Sequence, residues 1–190
     1  MNIETQIAGI ISVANDQWVY CNTILKYPKK YNKNYNPSSG VDNFWMNVCK
    51  VFFYDSLSLT ANLLSRDART ISFFNWQEFV DSNNLWLENQ ISDFEESGLK
   101  SMRDQITSHL DISNCSNNIP IFRRRGIINE GLVLSLGNTQ KEFINKFNEF
   151  TVSNNRPYNR NNYFGGKEAQ NEIEFALKKN PPELTENPVI

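Results

Sequence analysis

Ile3, Ile7, Ile10, Ile11, Ala14, Trp18, Cys21 and Leu25 recur at steps of three and four residues. This helical period is repeated down the chain, and it constrains the fold more than any other feature of the sequence. It predicts a first helix over 3–26, ending at Tyr27-Pro28, followed by a loop from Lys29 to Gly40 rich in Asn, Tyr, Lys and Pro. A second helix is expected from about Asp42 to Leu64. Phe44, Trp45, Val48, Val51, Phe52, Leu59 and Leu63 make it apolar around much of its circumference, as suits the centre of a bundle. Ser72 or Asn75 is placed to cap a third helix carrying Phe74, Trp76, Phe79 and Val80, with a bend at Asp81-Ser82-Asn83-Asn84.

One long helix is then expected over Leu85–Leu110, with Leu87, Ile91, Phe94, Leu99, Met102 and Ile106 inward and a local kink at Gly98. Asp111–Pro120 is a polar loop. Ile121–Leu136 fits either a short strand pair or a helix start. Thr139-x-x-Glu142 matches a capping box opening a helix with Phe143, Phe147, Phe150 and Val152. After a loop over 153–166, Glu168–Lys179 forms a short helix with Ile173 and Leu177 inward, and the chain ends in a tail. No β-α-β alternation and no internal repeat is visible. The fold class is therefore all-α: an up-and-down helical bundle of four to five long helices (1–152) with a C-terminal loop, short helix and tail (153–190).

The 190 residues suffice for one domain with its own core, and the 13 Phe, 7 Tyr and 4 Trp supply large pieces for it. Histidine occurs once, at His109, which excludes an HExxH site, a Cys/His zinc finger and any multi-histidine centre within one chain. Cys21, Cys49 and Cys115 are widely spaced and odd in number, and they are expected as buried reduced thiols. Neither a signal peptide nor an 18-residue apolar span is visible, so a cytoplasmic protein with no membrane association is expected. No metal and no cofactor is expected. Phe164-Gly165-Gly166-Lys167 lacks the spacing and the Ser/Thr of a phosphate-binding loop.

The chemistry-bearing segment is Leu99-Lys-Ser-Met-Arg-Asp-Gln-Ile-Thr-Ser-His-Leu-Asp111. Arg103, then the polar Asp104, then His109 near a helix end resembles the motif of the HEPN superfamily of helical ribonucleases and nucleotide-binding modules. Ser108-His109-Leu110-Asp111 is similar to the Ala-His-x-Asp that ends this helix in the abortive-infection U-type branch. The stretch from Phe52 to Phe79 is similar to that branch as well, with a long helix, a leucine-rich exit and a Ser-led helix. The resemblance covers roughly residues 3–150. Ser108 departs from the small apolar residue usual there, and the Arg–His spacing is not the commonest.

The resemblance implies a metal-independent endoribonuclease acting as a toxin or phage-defence effector. It implies a homodimer whose two motifs face each other, and a nucleotidyltransferase-type antitoxin as partner. It carries over Arg103 as the phosphate-binding stabiliser, His109 as general base or acid, and Asp104 as the residue that orients one of them. The residue types suit that reaction. A histidine titrates near neutrality and can take a proton from a ribose 2′-hydroxyl, and an arginine fork matches a phosphate accumulating charge. On one ideal helix, however, six residues turn by about 600°, leaving Arg103 and His109 about 120° apart and about 9 Å apart along the axis. Either His109 sits in a frayed last turn or the partners that matter come across the dimer. The alternative function for the same residues is a non-catalytic HEPN-like helical module that contacts RNA or protein.

The net charge of −2 conceals an asymmetry. Residues 40–98 hold three bases against nine acids, whereas residues 120–167 hold eight bases against three acids. Arg123, Arg124 and Arg125 follow the motif by one loop and are candidates for holding RNA phosphates; a solvated loop is the plainer alternative. Tyr158, Tyr163 and Phe164 interleave with Arg156 and Arg160, which suits stacking on single-stranded RNA and suits docking on the bundle equally.

Overall fold

The computed structural model describes residues 2–31, 40–41, 43–107, 130–156, 166–181 and 184–185. Within them the chain forms six α-helices: α1 (Ile3–Tyr31), α2 (Asn43–Leu63), α3 (Gln77–Glu96), α4 (Leu99–Thr107), α5 (Glu130–Ser153) and α6 (Lys167–Lys179). The architecture is an all-α helical bundle. Its only described strands are a two-residue antiparallel pair, β1 (Gly40–Val41) and β2 (Leu184–Thr185), with Gly40 opposite Thr185.

Helix α1 is the organising element, packing against α2, α5 and α6. Its apolar stripe explains why: Ile7, Ile11, Ala14 and Cys21 are buried at the three- and four-residue steps seen in the sequence, and Ala8 and Ile24 are buried beside them. Helix α2 runs antiparallel to it. The Ser56 hydroxyl donates to the Ala14 carbonyl at 2.7 Å, and about two turns along the seam Cys21 meets Cys49. Helix α5 is also antiparallel to α1. The Trp18 indole N–H donates to the Val133 carbonyl at 2.8 Å, and the Trp18 ring lies directly over Gly137. Only a residue without a Cβ allows that approach, since a Cβ at Gly137 would fall 2.4 Å from the ring.

The core continues into an aromatic cluster at the other end of the bundle. Phe73, Phe79, Phe143 and Phe147 are fully buried, and Trp76 and Phe150 nearly so. Their rings meet edge-on or stacked, as in Phe73–Phe143 (5.3 Å between centroids), Trp76–Phe150 (5.0 Å) and Phe73–Phe79 (4.8 Å). Burial of each such ring stabilises the fold by about 1.5–3 kcal/mol. Arg156 closes the same end. Its guanidinium bridges the buried Glu4 of α1 (3.3 Å) and Glu78 of α3 (3.1 Å). The chain reaches it through Asn155 at φ 57°, which lets the Arg156 N–H return to the Thr151 carbonyl at 2.7 Å and end α5.

Several boundaries differ from the sequence expectation. Helix α1 passes Pro28 and ends at Tyr31. Pro28 has no N–H to return to the Ile24 carbonyl, so α1 continues past it with one backbone hydrogen bond fewer. The expected single helix over Leu85–Leu110 is divided. Helix α3 already begins at Gln77, bends at Asn83 (φ −134°), and stops before Gly98, whose φ of 81° reverses the chain into α4. Gly98 therefore ends one helix and starts another rather than kinking one. Neither Ser72 nor Asn75 caps α3 with its side chain. Phe73–Asn75 is a 3-10 turn, and the Asn75 amide instead donates to the Asp67 and Thr70 carbonyls. Thr139-x-x-Glu142 is no capping box, because α5 starts at Glu130 and the Thr139 hydroxyl donates to the Ser135 carbonyl one turn back. The C-terminal tail is tied down where it is described. The Trp45 indole donates to the Asn180 carbonyl at 2.9 Å, and β2 pairs with β1.

Candidate functional site

The candidate motif begins on α4. Leu99 is fully buried and Met102 packs against the core, so this short helix is anchored on α2, α3 and α5 by one face. The turn before it is well fastened. The Ser97 hydroxyl donates to the Phe94 carbonyl at 3.0 Å, and the Met102 N–H reaches the Gly98 carbonyl at 3.0 Å. This leaves Arg103 and Asp104 on the outward side, with side chains 35% and 51% exposed.

Arg103 and Asp104 are directly paired. The Arg103 Nε and a terminal guanidinium nitrogen both donate to Asp104 Oδ1, at 2.8 and 2.5 Å. At this exposure the pair contributes at most about 1 kcal/mol to stability, so its consequence is positional: it holds the plane of the guanidinium. One turn earlier Lys100 pairs with Glu95, bridging α4 back to the end of α3. His109, Arg123, Arg124 and Arg125 lie outside the described residues, as do Tyr158, Tyr163 and Phe164. Of the expected site residues, the structure thus brings Arg103 and Asp104 together.

No group of three or more His, Cys, Asp or Glu side chains is arranged to hold a metal ion among the described residues. No helix among them is long and apolar enough to cross a membrane.

A second surface feature was not singled out by the sequence. Between α1 and α5 lies a groove of about 320 Å³, lined by Asn15, Trp18, Lys26, Leu134, Gly137, Asn138, Lys141 and Ile144. Two lysines and two asparagines over an apolar floor make it a cationic, hydrogen-bonding trough. Its lining comes from two segments far apart in the chain, so no local pattern signals it. Beyond it, α6 lies on α1 through an acidic contact. Tyr20 donates to Glu172 at 2.7 Å, and its phenol is pushed up to about 12 by burial and by that carboxylate. Burial, with Glu172 and Glu168 nearby, likewise raises the Asp16 carboxyl above its ordinary value.

No protein-family model matches the chain, and no match is found among curated proteins or among solved structures.

Proposed function

We propose that the chain is a metal-independent endoribonuclease of the HEPN type, acting as a homodimer in a toxin or phage-defence role. The observation that carries the reading is the Arg103–Asp104 pair. A guanidinium is held by the adjacent carboxylate on a short, core-anchored helix, six residues before the sole histidine in the sequence. The all-α bundle is the fold class this reading requires.

In the proposed reaction His109 takes the proton of a ribose 2′-hydroxyl. That oxygen attacks the adjacent phosphorus, and the Arg103 fork neutralises the charge gathering on the non-bridging oxygens. The 5′-oxygen leaves with a proton from the second copy's histidine, giving a 2′,3′-cyclic phosphate and a 5′-hydroxyl. Asp104 keeps the guanidinium plane oriented. Arg123, Arg124 and Arg125 supply phosphate contacts along the RNA strand. A nucleotidyltransferase-type antitoxin is the partner that would restrain this activity.

The test is incubation of the purified chain with single-stranded RNA in EDTA and analysis of the new termini. Cyclic phosphate ends support the reading, and intact RNA at high protein concentration refutes it. A second reading, a non-catalytic RNA-contacting module, rests on the departures of the motif, Ser108 and the uncommon Arg103–His109 spacing. That reading predicts steeply salt-dependent RNA binding, unchanged by His109→Ala, without cleavage.

A further inference from the structure

Cys21 of α1 and Cys49 of α2 face each other across the antiparallel seam between these helices. Their Sγ atoms lie 3.1 Å apart, and both side chains are fully buried. A disulfide bond is about 2.05 Å long, so closure needs the sulfurs to approach by only about 1 Å. The juxtaposition is set by the register of the two helices rather than by one side-chain rotation. The Ser56–Ala14 hydrogen bond pins the same seam about two turns away, and Tyr20 and Phe52, neighbours in sequence of the seam residues, pack ring to ring at 4.8 Å. The Cys49 thiol also donates to the Cys21 carbonyl at 3.6 Å. The contact with Cys49 and burial both push the Cys21 thiol up, so Cys21 rests protonated and slow to react.

We infer that Cys21 and Cys49 form a shielded redox site, which hydrogen peroxide converts to an intramolecular disulfide joining α1 to α2. Peroxide reaches the sulfurs during brief openings of the seam. One sulfur attacks a peroxide oxygen and the O–O bond breaks. The sulfur becomes a sulfenic acid, and the departing hydroxide leaves as water with that thiol's proton. The second sulfur then attacks the sulfenic sulfur and the S–O bond breaks. The second thiol's proton goes to the departing hydroxide, giving a second water. Two electrons pass from the two sulfurs to the peroxide, and a dithiol reductant reverses the change.

The test uses the full chain with Cys115→Ser, which leaves only the pair. After peroxide treatment we expect intact mass to show the loss of two hydrogens, and peptide mapping to join the Cys21 and Cys49 peptides. No thiol should react with maleimide in denaturant, and the thermal midpoint should rise by roughly 10 °C, returning on reduction. Persistence of two titratable thiols, sulfinic acids on separate cysteines, or disulfides between chains would each overturn the proposal. Cys21→Ser in the same background should show no rise in midpoint. Should that variant fail to fold, the mass loss and the peptide linkage in the parent still decide.

Discussion

Replacing Gly137 by alanine sets two effects of opposite sign against each other. In a helix interior, Ala is favoured over Gly by about 0.5–1 kcal/mol, so propensity alone predicts that Gly137→Ala stabilises the protein. The structure predicts the reverse. The new Cβ would fall 2.4, 2.5 and 2.7 Å from three atoms of the Trp18 indole, which must then move by about an ångström. That indole is not a loose side-chain end, because its N–H is bound to the Val133 carbonyl at 2.8 Å. Overpacking at about 1–3 kcal/mol and a weakened hydrogen bond at about 1 kcal/mol outweigh the helix gain, leaving a net loss of about 1–3 kcal/mol. For a chain of this length the midpoint should fall by roughly 3–10 °C. Gly9 is the internal control: it is an exposed glycine of α1 where an added Cβ would have nothing within 4 Å. Gly9→Ala should raise the midpoint by roughly 1–4 °C. Calorimetry or urea unfolding of the two variants reads both signs. A Gly137→Ala protein as stable as the parent would mean that α1 and α5 do not cross where described.

Phe79→Ala removes a fully buried ring stacked on Phe73 and Trp76 and should lose about 3–5 kcal/mol by urea unfolding; a loss below 1 kcal/mol would place Phe79 outside the core. Asp16→Asn should stabilise the protein at neutral pH. The folded carboxyl titrates above its ordinary 3.8, so the charged form is the disfavoured one in the fold. The penalty is fully present above the folded value and fades as pH falls toward the unfolded one, so the advantage of the variant, under about 1 kcal/mol at this half-exposed site, should shrink through the acidic range. An advantage that grows with acidification would reverse that sign. Arg156→Gln should lower the midpoint more than Arg69→Gln, because Arg156 answers the buried Glu4 whereas Arg69 answers only its neighbour Asp67; equal effects would contradict the clasp.

The helical class was legible because apolar residues repeat at helical steps in every long segment, and the buried positions Ile7, Ile11, Cys21, Phe143, Phe147, Ile173 and Leu177 follow that repeat, although at the end of the first stripe it is Ile24 and not Leu25 that is fully buried. Boundaries were less legible because they depend on groups that a stripe does not encode. Gly98 looks like a weak helix residue in sequence and becomes a chain reversal only because Leu99 must turn into the core. Thr139 resembles a cap, but tertiary packing of Val133 and Leu136 extends α5 upstream of it. Arg103 and Asp104 could be selected as a motif. Their mutual hydrogen bonds could not, since adjacent helical residues ordinarily diverge. The α1–α5 groove and the Cys21–Cys49 contact depend on tertiary register and leave no local trace.

The most direct measurement of the central claim is the rate of RNA cleavage in EDTA by the parent chain and by His109→Ala, each first shown to be folded by circular dichroism. Cyclic-phosphate products are expected from the parent and a loss of about 10²-fold or more in the variant, the contribution of a general base. Equal cleavage by the two proteins, or none by either, would contradict the claim.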